Sequence, residues 1–382
     1  MNLGLSDDQE MLLHGVREFA QGEIAPRARA MDAEAQIPAE IIDQMRELGL
    51  FGAQVPEAYG GLGLDTVTYA AIIEELARAC AGISILLSVH SSVAAHPLML
   101  FGNEEQRRRF LPHMAAGEIG AFCLSEPESG SDAASLKTSA RRDGDDYVLN
   151  GTKVFVSGGS LASFYLLMAR TDPQARPLHR GISAFLVERE TAGLILGRKE
   201  EKMGLRASDT MEIFLEDCRV PVANRIGEEG VGFKIAMKSL DSGRIGVGAQ
   251  AVGIAQAALQ EALAYAKVRQ QFGHPLVHFQ AIQSKLAEMS TRLEGSRLLV
   301  RHAAWLKDQG RPFTRQAAMA KLNASEVATW VTHQALQIHG GYGYMKEYAV
   351  ERYYRDARVT EIYEGTSEMQ RLVIARCLLR GE

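Results

Sequence analysis

The chain has few cysteines, little net charge and no unbroken apolar run of membrane length, and each shortage removes a class of function. Its four cysteines, Cys80, Cys123, Cys218 and Cys377, lie far apart and include no Cys-x-x-Cys pair. That spacing speaks against a zinc site and for free thiols in a reducing compartment. A formal net charge of -5 gives no electrostatic reason to expect nucleic acid or an anionic membrane surface, so any phosphate must be met by local cations. No uninterrupted apolar run approaches the roughly 18 residues that a membrane span needs. The first ten residues lack the basic and apolar regions of a signal peptide, which predicts a cytoplasmic protein. The patterns GxxxxGK[ST], HExxH and GxSxG are all missing, as are internal repeats and low-complexity tracts.

What is present divides into three textures. From residue 5 to about 120 the pattern is helical. Met11, Leu12, Val16, Phe19 and Ala20 form one apolar stripe, and Ile41, Ile42, Met45 and Leu48 form another that stops at Gly49. Residues 69–79 and 83–100 read as two more buried helices, and Asn103 with Gln106 marks the start of a short one reaching His113. From 121 to 228 the period is that of strands, with hairpin-type turns at Asp143-Gly144 and Asn150-Gly151. From Gly230 onward the chain is helical again, with long stretches at 246–269, 280–309 and 313–338. The expected fold is α+β: an N-terminal α-helical domain over 1–120, a middle antiparallel β-barrel or sandwich over 121–228, and a helical bundle over 229–382.

Five short motifs could carry chemistry, and each has a structural reading beside the functional one. Phe122-Cys123-Leu124-Ser125-Glu126-Pro127, followed by Ser129-Gly130-Ser131-Asp132, can aim N–H groups and hydroxyls at a planar polar ligand, or be a connector whose serines cap helices. Phe155-Val156-Ser157-Gly158-Gly159 can flank a flat cofactor ring, or simply end a strand. Asp241 and Arg244 share a helix face, either paired with each other or holding the polar arm of a ligand. Gly243 between them is unfavourable in a helix and points to a close approach. Arg269, in Arg269-Gln270-Gln271-Phe272-Gly273, can take a pyrophosphate bidentately or cap a helix end. Gln337-Ile338-His339-Gly340-Gly341-Tyr342-Gly343 has more glycine than a helix cap requires, yet it is no GxGxxG and follows no strand, which disfavours a Rossmann site. His333 and His339, six apart, fall on different helix faces and read as packed or surface histidines.

The run Ile362-Tyr363-Glu364-Gly365-Thr366-Ser367-Glu368 is the most informative. Ser367 with Gln370 reads as a capping box, and Met369, Leu372, Val373 and Cys377 follow at helical spacing. Glu364 then sits on a turn at a helix entrance. It is either a carboxylate raised towards the general-base range by apolar surroundings or a solvated glutamate at the positive end of a helix.

Taken in order, Ser-Glu-Pro-x-Ser-Gly-Ser-Asp, Phe-Val-Ser-Gly-Gly, Asp-x-x-Arg, Arg-x-x-Phe-Gly, Gln-x-x-Gly-Gly and Tyr-Glu-Gly-Thr resemble the acyl-CoA dehydrogenase family over essentially the whole chain. The resemblance implies an N-terminal helical domain, a middle β-domain and a C-terminal four-helix bundle, with FAD between the last two. It implies that Phe122, Leu124, Ser125, Phe155, Val156 and Ser157 line the flavin ring, with Ser157 near N5, and that Ser131, Thr366 and Glu368 lie against the cofactor. Arg269, Phe272, Gln280, Gln337, Gly340 and Gly341 would hold the adenosine and pyrophosphate half, reaching a neighbouring subunit in a homotetramer built as a dimer of dimers. Ser131, Asp241, Arg244, Tyr363 and Gly365 would contact the acyl-CoA.

By the same resemblance Glu364 is the base that removes the α-proton while the β-carbon delivers hydride to flavin N5, and the Glu364 amide helps to polarise the thioester carbonyl. Some relatives place the base on the bundle helix; that position is Gly243 here, so no rival base stands there. Many relatives have tryptophan and threonine where this chain has Phe155 and Ser157, which alters pocket shape and retains the hydroxyl. The absence of Arg and Lys between Gly82 and Pro97 disfavours a dicarboxylyl substrate. The expectation is a short-chain acyl-CoA dehydrogenase passing electrons to an electron-transfer flavoprotein, with no nucleic acid, membrane or metal partner. A branched, isobutyryl-type substrate, a carrier-protein thioester, oxygen as acceptor and a non-catalytic scaffold stand as alternatives.

Overall fold

Two glutamines, each three residues after a small polar residue, decide where two helices begin. Ser6 with Gln9 and Asn103 with Gln106 form reciprocal capping boxes, so the chain turns helical at Asp7 and again at Glu104. The computed structural model describes residues 4–381. Its first third comprises α1 (Asp7–Phe19), α2 (Ala28–Glu34), α3 (Ala39–Glu47), α4 (Thr66–Ala79), α5 (Ala81–Ser88), α6 (His96–Phe101) and α7 (Glu104–Ala115). α5 and α6 are one continuous helix, joined by a wide π-helical turn at Val89–Ala95. The segment Ala81–Phe101 contains no unbroken apolar run of membrane length, yet it is long and apolar enough on average to cross a membrane, and 83% of its 18-residue apolar window is buried inside the fold. It is a core helix. Scattered serines and histidines interrupt its apolar run, while its isoleucines, leucines, valines and alanines keep the mean hydropathy at 1.5.

The middle strands are β1 (Ile119–Cys123), β2 (Ser139–Asp143), β3 (Asp146–Ser157), β4 (Ala162–Arg170), β5 (Ile182–Glu188), β6 (Leu194–Lys199), β7 (Thr210–Pro221) and β8 (Arg225–Ile226). They form one sheet in the order β6-β7-β3-β2-β4-β5-β8, with β1 beside β4. The sheet is mixed where an antiparallel one was expected, because β4 has parallel partners in β1 and, at one end, β2. Asp143-Gly144 does open the β2–β3 hairpin, with Asp143 opposite Asp146. Asn150-Gly151 is not a turn. β3 runs straight through it with a bulge, since Gly151 lies against Thr138 (an added Cβ would sit 2.5 Å from Thr138 Oγ1) and Asn150 is bonded to Asp217 of β7.

The last third holds α8 (Gly232–Val268), a small hairpin of β9 (Gln270–Gln271) and β10 (His274–Pro275), then α9 (Gln280–Asp308), α10 (Thr314–His339), α11 (Val350–Val359) and α12 (Ser367–Arg380). α8 is buried without a break from Asp241 to Ala255, packed among α4, α9 and α10. Glycine and alanine make that possible. At Gly253 a Cβ would lie 2.3 Å from the Glu74 carbonyl oxygen of α4, so the two backbones touch where a side chain would otherwise stand. All four cysteines are free and buried.

The contrast between two helical glycines is measurable. Gly295 of α9 has nothing within 4 Å of an added Cβ, so Gly295→Ala should stabilise by about 1 kcal/mol through helix propensity. Gly253→Ala should instead destabilise by about 1–3 kcal/mol, because the α4–α8 contact must open. Chemical denaturation of both variants checks the sign of each.

Candidate active site

Glu364 sits on the link between α11 and α12, where the backbone turns through two left-handed residues, Glu364 at φ +51° and Gly365 at φ +94°. Glycine adopts this freely, whereas glutamate does so at a cost that the surroundings must offset. Three bonds hold the turn. Gln370 Nε2 donates to Gly365 O at 2.7 Å and to Glu364 O at 3.3 Å, and Lys321 Nζ of α10 donates to Gly365 O at 2.7 Å. The helix cap is Thr366, whose Oγ1 accepts from Met369 N, and not Ser367 as the sequence suggested. Gln370 is turned back onto the turn's carbonyls, so it cannot complete a box with Ser367.

The Glu364 carboxylate lies over the one position of α8 that could receive it. A Cβ on Gly243 would fall 1.9 Å from Glu364 Oε2 and 3.3 Å from Val93 Cγ1. Both carboxylate oxygens are shut off from solvent and accept no hydrogen bond. Burial raises the carboxyl from 4.5 to about 7, against a smaller downward pull from Lys321 and then Arg244. The close approach that Gly243 implied is therefore made by the chain's own glutamate.

Around this carboxylate, α8 presents three successive layers on one face. On either side of Gly243, Arg244 Nη1 donates to Asp241 Oδ1 at 2.6 Å, and Asp241 Oδ2 accepts from Thr314 Oγ1 at 2.7 Å; the pair is buried, and Arg244 Nε is left without a partner. One turn beyond Gly243, an added Cβ on Gly246 would meet Ser88 Oγ at 2.3 Å and Tyr69 Oη at 3.8 Å. The hydroxyls of Tyr69, Ser88 and Ser91 are buried next to one another, and none makes a hydrogen bond of good geometry. Another turn on, Gln250 Oε1 accepts from the Tyr363 hydroxyl while its Nε2 donates to Ala81 O at 2.9 Å and Ser84 Oγ at 3.1 Å. Tyr363 is thus a wall residue with its hydroxyl committed to Gln250.

The sheet supplies the opposite side. Lys153 and Glu126, both buried, pair at 2.7 Å; Lys153 Nζ also holds Leu124 O, and Glu126 accepts from the Lys137 and Thr138 amides. With Val154 N bonded to Ser125 O at 3.0 Å, these bonds fix the Phe122–Glu126 segment against the end of β3. There Phe155 bulges out with φ +59° and is 69% exposed. Val156 points the other way into the sheet core, so it can offer a ligand only backbone. Ser157 is half-buried, and Gly158 abuts Leu86 of α5, which brings the strand end to the helical layer. Ser131 and Glu368 are exposed, and the Thr366 hydroxyl is engaged as the cap. His90, in the wide turn, accepts from Gly120 N with Nδ1 and meets Phe51 O with Nε2; burial pushes it down to about 4, so it is neutral and ties helix to sheet.

Arg269, Phe272, Gln280, Gln337, Gly340 and Gly341 belong to a second group, at the ends of α8 and α10 and the start of α9, whose two segments meet where Arg269 lies over Tyr342. Arg269 lies over the Tyr342 ring at 5.3 Å, Phe272 is 91% exposed at φ +50°, and Gln280, Gln337 and both glycines are exposed. Along α8 this end is 26 residues from Gly243, roughly 39 Å at 1.5 Å per residue. Within one chain the two clusters do not meet.

Family models match in three consecutive pieces: "Acyl-CoA dehydrogenase, N-terminal domain" over residues 6–118, "middle domain" over 121–218 and "C-terminal domain" over 230–379. The chain belongs to the acyl-CoA dehydrogenase family. It is 51% identical to the mitochondrial short-chain specific acyl-CoA dehydrogenase of Bos taurus, over 99% of this chain and 91% of that one. Among solved structures it matches butyryl-CoA dehydrogenase from Megasphaera elsdenii at TM-score 0.97, with 46% identity and full coverage of both chains. A chain in the structure described as the electron transferring flavoprotein of Acidaminococcus fermentans matches equally well, at TM-score 0.97, 46% identity and full coverage of both chains.

This acyl-CoA dehydrogenase is an FAD-dependent oxidoreductase. The residues present fit a flavin: an exposed aromatic beside a hydroxyl at the bulged end of β3, and next to it a loop clamped by the Lys153–Glu126 pair. Sequence reasoning missed Lys321, Tyr69, Ser88, His90 and Gln250. The signal for Lys321 was there, since it falls in register on the alanine face of α10 with Ala317, Ala324 and Ala328.

Glu364 also leaves a mark on stability. Its folded carboxyl is raised from 4.5 to about 7, so its contribution is fully present below about pH 4.5 and is lost as pH rises through 7. Glu364→Gln should therefore gain on the wild type between pH 5 and pH 8, by up to about 3 kcal/mol for a shift of this size. Denaturant midpoints at the two pH values check it; a pH-independent difference would contradict the raised carboxyl.

Proposed function

We propose that the chain dehydrogenates a short-chain acyl-CoA thioester to the trans-2-enoyl-CoA, with Glu364 as the base that takes the α-proton. The observation that carries the reading is the Glu364 carboxylate itself, desolvated, free of hydrogen bonds and raised to about 7 over Gly243. A carboxylate in water is too weak a base for a carbon acid; one stripped of solvent binds a proton more tightly, and its proton affinity falls near the working pH. The Glu364 N–H makes none of the turn's backbone hydrogen bonds, which suits it to donate to the thioester oxygen as enolate charge develops. Bound FAD would accept the hydride from the β-carbon. Phe122, Leu124, Ser125, Phe155 and Ser157 would pack and hydrogen-bond its ring.

Asp241 and Arg244 flank Gly243 on α8, where the pantetheine arm would enter, and Gly365 closes the thioester pocket. The acyl tail would then run towards Gly246. The Tyr69, Ser88 and Ser91 hydroxyls stand there, one helical turn from the carboxylate, or about 5.4 Å. A short tail stops before them. A longer one would press methylenes against buried hydroxyls and forfeit part of the roughly 0.8 kcal/mol that each buried methylene normally contributes.

The exposed Arg269–Gly341 cluster is suited to a second subunit's FAD, which favours a homotetramer in which each site is completed by its neighbour. The likeness to a chain in an electron transferring flavoprotein structure supports an electron-transfer flavoprotein as acceptor. Oxygen as acceptor is favoured only by the lower likeness, at 36% identity, to the structure described as the prolyl acyl carrier protein oxidase AnaB.

Anaerobic titration of the purified protein with butyryl-, isobutyryl- and octanoyl-CoA tests the reading. Bleaching of the flavin spectrum by the short thioesters at lowest concentration is expected, and a flavin spectrum that none of them changes would refute it. Glu364→Gln should slow this reduction about 10³-fold, in the range general-base removal produces. Tyr69→Phe combined with Ser88→Ala should raise the octanoyl-to-butyryl ratio of kcat/KM several-fold, and an unchanged ratio would remove the hydroxyl layer as the chain-length limit.

A further inference from the structure

Lys321 is a fully buried lysine, 0% exposed, in the middle of α10. Its ammonium carries three donors, yet it makes a single hydrogen bond, to the Gly365 carbonyl at 2.7 Å. Among the described residues no carboxylate lies within 4.0 Å of it, so it has no ion-pair partner. A buried ammonium with one neutral acceptor is a poor structural element, and an apolar side chain of similar length would serve packing better. Its position says what it does instead. The carbonyl it holds belongs to the residue after Glu364, in a turn that depends on two left-handed residues.

We infer that Lys321 is a positioning residue for the Glu364 base: its ammonium clamps the Gly365 carbonyl and supplies the positive field in which the neighbouring carboxylate ionises. This rests on the reading of Glu364 as the base. The other charges facing the site do not replace it. Arg244 on α8 is bound to Asp241 at 2.6 Å. Glu361 in the turn is engaged with Arg358 and the Thr329 hydroxyl. Glu368 on α12 is exposed to solvent. Lys321 has the largest favourable electrostatic influence on Glu364, ahead of Arg244, and Glu364 in turn has the largest on Lys321. Burial lowers Lys321 to about 8, so the ammonium persists at neutral pH and weakens above it. When Glu364 takes the α-proton, that proton stays on the carboxyl; Lys321 neither gives nor receives one.

The test uses Lys321→Met and Lys321→Arg holoenzymes, with the Glu364 carboxyl followed by infrared difference spectra against pH and its band assigned by its loss in Glu364→Gln. Lys321→Met should move the Glu364 titration up by about one pH unit or more, which is tenfold in the ratio of ionised to protonated carboxyl. The rate of butyryl-CoA-driven flavin reduction at pH 7 should then fall about fivefold or more with KM little changed, and rise again at higher pH. Lys321→Arg should restore most of both. A Glu364 titration unmoved in Lys321→Met overturns the inference, since a merely structural lysine would leave it there. If Lys321→Met does not fold, Lys321→Gln answers the same question. If Glu364→Gln retains normal flavin reduction, the base assignment fails, while the infrared titration still reports whether Lys321 sets the carboxyl.

Discussion

A carboxylate held out of water with no hydrogen bond is the constraint on which the rest of this structure turns. Glu364 can be in that state only because α8 offers a gap at Gly243, and because the link from α11 to α12 accepts two left-handed residues in succession. Each of those is unfavourable alone. Glycine weakens a helix by about 1 kcal/mol relative to alanine, and a left-handed glutamate costs of order 1–3 kcal/mol. Gln370, Lys321 and the Thr366 cap fix the turn from three sides, and the surrounding packing over-determines a geometry the local chain would not choose.

The helix α8 then acts as the axis along which the site is laid out. Asp241 and Arg244 flank Gly243, which receives the carboxylate, Gly246 receives the Ser88 and Tyr69 hydroxyls, and Gln250 closes the far end with Tyr363 and Ser84. The facing helix contributes through its wide turn at Val89–Ala95, which places Val93 against Gly243 and anchors His90 to the sheet. The sheet in turn delivers Phe155 and Ser157 on a strand end wedged against Leu86. Helical layers and sheet are coupled at the site itself, so its geometry depends on packing between parts of the chain distant in sequence.

Much of this was legible in the residues. The α–β–α order follows from the change of hydrophobic period, and the helix start at Asn103 and the Asp143-Gly144 hairpin lie where their residues indicate. Glu364 stood out because an acidic residue, a glycine and a cap adjoin. The failures have physical causes. Asn150-Gly151 has turn chemistry, but tertiary pairing with Asp217 and the fit against Thr138 make it a bulge. Thr366 caps in place of Ser367 because Gln370 is drawn to the turn's carbonyls. The serines and histidines that interrupt the apolar helix Ala81–Phe101 are the same residues that bring polar groups to the pocket. Lys321 and Tyr69 lie 43 and 295 residues from Glu364 along the chain, so only the fold brings them to one carboxylate.

The most direct test of the central claim is substrate-driven flavin reduction in Gly243→Ala, which fills the gap on α8 and removes no functional group. The account predicts a protein that folds and binds FAD but is reduced by butyryl-CoA about 10²-fold more slowly or worse, since displacing a catalytic group by about 1 Å has that effect. Reduction at the wild-type rate would mean that the carboxylate does not work from the position over Gly243, and the account would be wrong at its centre.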